Sequence, residues 1–128
     1  MKMAFDLHGT IDSKPEFFKG WLSHLMKEHE IVILSGPPKG DIFVELAKLG
    51  FRQDVHYNFV ISVVDWLRSA THCKMWQDEN DNWWASDEDW WSSKAKICAQ
   101  VGIDTLVDDK VEYQRHFNGR GTLFWLWR

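Results

Sequence analysis

Met3-Ala4-Phe5-Asp6-Leu7-His8-Gly9-Thr10-Ile11-Asp12 runs from a short apolar segment into an acid, and a Gly-Thr turn follows after two further residues. That arrangement places the Asp6 carboxylate at the C-terminal tip of a buried strand, where the chain bends sharply. In open α/β sheets this edge is where ligands bind. One such tip is a weak signal, so its companions have to come from the rest of the chain.

Working outward, Ser13-Lys14-Pro15-Glu16 reads as a capping box, with Ser13 as N-cap, Glu16 three residues on and Pro15 in the first turn. Phe17, Phe18, Trp21, Leu22, Leu25 and Met26 then recur at helical spacing, and this helix is expected to end around Lys27 to His29. Ile31-Val32-Ile33-Leu34 is apolar without alternation, as in a strand buried on both faces. Ser35-Gly36-Pro37-Pro38 stops it. A second helix is expected over Asp41 to Leu49 with Gly50 as a left-handed cap. Phe59-Val60-Ile61-Ser62 is a third strand, followed by a helical piece through Leu67. Met75 to Trp84 carries Asp78-Glu79-Asn80-Asp81-Asn82 between aromatic flanks, the pattern of a β-hairpin. Ser86 opens a helix over about Asp87 to Val101, closed by Gly102. Thr105-Leu106-Val107 is a fourth strand ending at Asp108-Asp109. A short helix around Val111 to Phe117, breaks at Gly119 and Gly121, and a strand over Thr122 to Trp127 complete the chain. Alternating strands and helices predict a three-layer α/β sandwich around a mostly parallel, five-stranded sheet.

The 128 residues suit one domain, residues 1–128, with an insert at about 66–90. A hydrophobic content of 45% is that of a globular protein. A net charge of −4 argues against a basic nucleic-acid groove. No apolar stretch reaches the roughly 18 residues that a bilayer span requires, so no membrane partner is expected. Asp6 and His8 interrupt any signal-peptide core. Cys73 and Cys98 form neither a C-x-x-C pair nor a zinc array, and are expected to be reduced thiols of a cytoplasmic protein.

Asp6, Ser35 and the Asp108-Asp109 pair each end a strand, and a parallel sheet brings those ends to one edge. A cation is needed to hold the carboxylates. Lys94 lies four residues after Trp90 and three before Ile97, on the stripe shared with Cys98 and Val101. Lys96 is offset from it by about 200° on the helical wheel and should face water. Lys94 is therefore the expected inward cation.

Two acids, a strand-tip hydroxyl and an inward lysine, in this order, resemble the four motifs of the haloacid dehalogenase (HAD) superfamily. The resemblance spans Phe5 to Asp109. It implies a HAD-like Rossmannoid domain without a large cap, the Trp-rich hairpin forming at most a small lobe. It also implies a Mg²⁺-dependent phosphomonoester hydrolase with Asp6 as nucleophile, forming an aspartyl-phosphate. The magnesium would be held by Asp6, the backbone carbonyl of His8 and Asp109, with Asp108 supporting from behind. Gly9, Thr10, Ser35 and Gly36 would contact the phosphorylated substrate, and Lys94 would neutralise charge. His8 stands where the family's usual Asp-x-Asp-Gly-Thr has its second acid. Imidazole can also protonate a leaving group and activate water. Uncapped members often act on large substrates or borrow a lid from a neighbouring subunit, so a homo-oligomer is one expected arrangement.

Two other readings exist: a catalytically silent domain that binds through its tryptophans, and a phosphatase acting on nucleic-acid ends. Trp76, Trp83, Trp84, Trp90 and Trp91 are expected mainly as the core of the hairpin lobe, with an aromatic platform as the alternative. Asp12 and Asp65 show no evident partner, and Arg52, Arg68, Arg115 and Arg120 are undistinguished candidates for substrate contact.

Overall fold

The apolar residues ahead of Asp6 form the middle strand of the sheet. In the computed structural model, which describes residues 1–70, 72–119 and 121–128, the elements in chain order are β1 (Lys2–Phe5), α1 (Pro15–Leu25), β2 (Glu30–Ser35), α2 (Lys39–Lys48), β3 (Phe59–Ser62), α3 (Val63–Ser69), β4 (Met75–Gln77), β5 (Trp83–Ala85), α4 (Asp87–Val101), β6 (Thr105–Asp108) and β7 (Leu123–Leu126). Ile11–Ser13 and Val111–Phe117 are 3₁₀ turns. Arg120 lies outside the described residues.

The main sheet has the order β3-β2-β1-β6-β7, and every pairing in it is parallel. Phe5 sits opposite Ile33 on one side and Val107 on the other. Alternate residues of the strands feed two cores. Phe5, Ile31 and Ile33 pack with Phe18 and Leu22 of α1 and Ile42 and Leu46 of α2. Ala4, Val32 and Leu34 pack with Val63 and Leu67 of α3 and Ile97 and Cys98 of α4. The unbroken apolar strands therefore meet helices on both faces, giving a three-layer, Rossmann-like sandwich. The chain moves from β1 outward through β2 to β3, then returns to the opposite side of β1 at β6. The strand order thus reverses between β1 and β6, and the crevice above such a switch point is where this architecture binds ligands.

Local chemistry explains most helix ends and corrects one. Ser86 Oγ accepts the Asp89 N–H at 3.1 Å, and Gly102 ends α4 in the left-handed region at φ 76°. The expected capping box on α1 does not form. The helix starts one residue later, with Lys14 as N-cap and Pro15 at its first position, and no side chain caps it. Ser13 belongs to the preceding 3₁₀ turn, where its Oγ donates to the Thr10 carbonyl at 2.5 Å and accepts the Trp127 Nε1–H at 3.0 Å. Helix α2 begins at Lys39, and its N-terminus is capped from elsewhere. Asp65, without an evident partner in the sequence, accepts the Lys39 N–H at 3.1 Å.

The insert is a two-stranded antiparallel hairpin with Trp76 opposite Trp84. Its loop is organised by the Asp78 carboxylate, which accepts the Asn80 and Asn82 N–H groups and Trp84 Nε1 at 2.9, 3.0 and 2.9 Å. These three donors hold Asp78 below the usual carboxylate range, that from Trp84 foremost. Ser86→Ala should lower the unfolding free energy by about 1 kcal/mol in urea titration, the value of a lost N-cap. Lys14→Ala, at a cap position without a side-chain bond, should leave it nearly unchanged.

Candidate functional site

The site grows from the tip of β1. Asp6 continues the strand's pairing, its N–H donating to the Val107 carbonyl at 2.9 Å. Its side chain falls on the Ala4 side of the sheet, the side covered by α4. From α4, Lys94 reaches in as the wheel required, 1% exposed, while Lys96 is exposed. Lys94 Nζ donates to Asp6 Oδ1 at 2.9 Å and to Asp108 Oδ2 at 2.6 Å, and lies 4.7 Å from the centre of the Tyr113 ring. A lone ammonium here would be prohibitively costly, and two carboxylates and a π face make it tolerable.

Both Asp108 oxygens are engaged, the other accepting the Lys110 N–H at 2.9 Å. Asp109 is half-buried and points into the turn after β1. Thr10 Oγ1 donates to it at 3.3 Å. Gly9 is required on two counts. Its φ is +85°, and a Cβ there would stand 2.2 Å from Asp109 Oδ2. Gly9 and Thr10, expected as substrate contacts, make room for Asp109 and hold it. The Thr10 hydroxyl is buried and directed at that carboxylate.

Oxygens of Asp6, Asp108 and Asp109 lie within 4.8 Å of one another, close enough to share a metal ion. Three carboxylates face one buried ammonium, and Lys110 reaches Asp109 only at 4.0 Å from an exposed position. The physical consequence falls on Asp6. Burial, reinforced by the Asp108 charge and opposed by Lys94, pushes its carboxyl up to about 7. Burial alone favours a neutral Lys94, but Asp6 and Asp108 outweigh it and raise its proton affinity. The lysine stays charged, and the surplus negative charge resides on the acids.

Ser35 ends β2, 1% exposed, and among the described residues its Oγ is the buried side-chain polar atom without a partner. An orphaned buried hydroxyl costs about 1–3 kcal/mol, a cost that a ligand, an ion or a water would relieve. His8 is half-exposed at the mouth, its Nδ1 3.3 Å from Asp12 Oδ2. Asp12 also accepts the Gly9 N–H at 2.7 Å. Asp12 was missed in the sequence although its spacing of four from His8 was available. Tyr113 was missed too, since nothing local places it beneath Lys94. Burial pushes the Tyr113 phenol up to about 12. Both described cysteines are free, and burial pushes the Cys98 thiol up to about 12, which leaves it inert.

Beside Ser35 opens a cleft of about 510 Å³. Gly36, Pro37, Trp83, Trp84, Trp90 and Trp91 are among the residues that line it. The tryptophans are therefore not simply the core of a lobe. Trp76 and Trp84 are 49% and 51% exposed because a two-stranded hairpin has too little mass to cover them.

No protein-family model and no curated protein matches the chain. Among solved structures it is similar to an uncharacterized protein from Corynebacterium glutamicum ATCC 13032 Kitasato, with a TM-score of 0.58 and 15% identity over 99% of this chain and 84% of that one. At that identity the likeness concerns the fold alone.

Lys94→Met should destabilise the protein by about 3–5 kcal/mol in denaturant titration, because two carboxylates are left buried without a counterion. Lys96→Met should change stability by less than about 0.5 kcal/mol. Because Asp6 binds its proton more tightly when folded, its contribution to stability is complete below its ordinary value of 3.8 and is lost as pH rises through about 7. Thermal melts in EDTA should show this loss between those values, and Asp6→Asn should remove that component.

Proposed function

We propose that the chain is a metal-dependent phosphomonoester hydrolase of the haloacid dehalogenase type, with Asp6 as nucleophile. The observation that carries this reading is the Lys94 ammonium joined to both Asp6 and Asp108 in a buried cluster at the switch point. A structural ion pair needs neither the third acid within 4.8 Å nor an orphaned hydroxyl at the neighbouring strand tip.

The donor set suits a hard divalent cation. Asp6 and Asp109 offer carboxylate oxygens and His8 a backbone carbonyl, and two positive charges would balance the surplus on the acids. Mg²⁺ is the ion this chemistry favours, and when bound it would supply electrostatic stabilisation of the phosphoryl group. Asp108, with both oxygens engaged, would orient Lys94.

The chain's own residues then divide the work. Lys94 fixes Asp6 through Oδ1, leaving Oδ2 without a donor among the described residues. An Asp6 oxygen attacks phosphorus, the bond from phosphorus to the leaving oxygen breaks, and His8 delivers a proton to that oxygen. Water then attacks the aspartyl-phosphate, His8 takes up its proton, and phosphate departs with Asp6 regenerated. Asp12 orients the imidazole by receiving Nδ1–H, which leaves Nε2 for proton transfer. Ser35 Oγ would bind a phosphoryl oxygen, and Lys94 would offset the charge of the group.

Hydrolysis of a panel of phosphate monoesters should require Mg²⁺, cease in EDTA and disappear in Asp6→Asn. Lys96→Ala should retain the rate, and His8→Ala should lower kcat by about 100-fold or more while altering its pH profile. Calorimetry should show Mg²⁺ binding that Asp109→Asn weakens. Absence of both binding and turnover would favour the silent binding domain.

A further inference from the structure

We infer that the tryptophan-lined cleft is the leaving-group subsite, and that it takes a flat aromatic ring, neutral or cationic, held one spacer away from the phosphoryl group, as the base is in a nucleoside monophosphate. This rests on the phosphomonoester reading above and names its substrate class.

Continuity with the phosphoryl site is the first support. Two chain links join them. On the loop side, the orphaned Ser35 hydroxyl is followed at once by Gly36, which lines the cleft. On the helix side, Trp90 lines the cleft and Lys94, on the same face of α4, enters the charge cluster. Four helical residues correspond to about 6 Å along the axis. That one-turn separation suits a ring carried about a sugar's length from the phosphoryl group better than a ring esterified directly to it.

Preorganisation is the second. Trp84 is anchored by its Nε1–H bond to Asp78 at 2.9 Å, and the Arg68 guanidinium stacks 4.3 Å over the Trp83 ring. Trp90 rests against Gly36, where a Cβ would approach the indole to 3.1 Å. A larger residue at position 36 would push that wall aside. Rings already immobilised lose little entropy when a ligand stacks on them. The volume of about 510 Å³ is that of a small-molecule site rather than a docking face.

Charge selects among aromatic ligands. Asp41, Asp81 and Asp87 line the cleft, and among the described residues no lysine or arginine does, Arg68 touching it only through the Trp83 ring. A leaving group carrying further phosphates, or a nucleic-acid strand, would meet three carboxylates. A neutral or protonated base would not.

The test uses adenosine 5′-monophosphate, glycerol phosphate and phenyl phosphate as substrates, with adenosine as a binding probe. Wild type should prefer the nucleotide over both other esters in kcat/KM. Trp84→Ala, at a half-exposed hairpin position, should reduce the nucleotide-to-glycerol-phosphate ratio by about tenfold, the usual effect of losing one stacking ring, and Trp90→Leu should do the same. Calorimetric binding of adenosine to Asp6→Asn should weaken with the Trp84→Ala change added. Hydrolysis of all three esters without preference, or equal losses on each in both tryptophan variants, would overturn the cleft assignment and leave the phosphatase reading standing. No hydrolysis of any ester, with adenosine still bound through Trp84, would overturn the phosphatase reading while retaining the aromatic site.

Discussion

A single buried ammonium ties the molecule together. Lys94 comes from α4, its two carboxylates from the ends of β1 and β6, and its aromatic floor from the 3₁₀ turn at Tyr113. Neither the ammonium nor the carboxylates tolerate the interior alone, because transferring an unpaired charge from water costs far more than one helix gains by packing. The register of α4 on the sheet is therefore constrained by charge as well as by shape. A slip by one residue would bury Asp6 and Asp108 unpaired and turn Lys94 away.

The same cluster is not optimised for stability. A third carboxylate crowds it through Thr10 and Gly9, Asp6 is forced to hold its proton to an unusually high pH, and Ser35 spends its hydroxyl on nothing within the described chain. Such local costs persist where a partner from outside relieves them, and they are typical of sites that bind or react. Their placement follows from topology. Parallel strands end together, and the reversal of order between β1 and β6 opens the crevice into which those ends project.

The hairpin stands apart from this logic. It adds no strand to the main sheet and makes only a two-stranded ribbon, yet it carries several of the chain's nine tryptophans. Bonds to Asp78 and stacking from Arg68 fix its rings without burying them. A large apolar surface held rigid and left half-exposed beside a charged cluster suits recognition better than stabilisation.

Residue order by itself determined the strands, the four helices and the inward lysine. These follow from periodicity and local caps, which act over a few residues: the unbroken Ile31–Leu34 run requires cover on both faces, and two positions of α4 separate Lys94 from Lys96 by half a turn. It also placed Asp6, Ser35 and Asp108-Asp109 at one edge, because parallel strands share their direction. Only the tertiary structure decided where competing local options went. Ser13 could have capped α1 but was drawn to Thr10 and Trp127. Thr10 serves Asp109, ninety-nine residues away, rather than the open face of its own turn. Asp12 pairs with His8 once the turn closes, and the tryptophans line a cleft because the hairpin cannot enclose them. Each of these outcomes depends on distances between elements remote in the chain, and no local pattern encodes those distances.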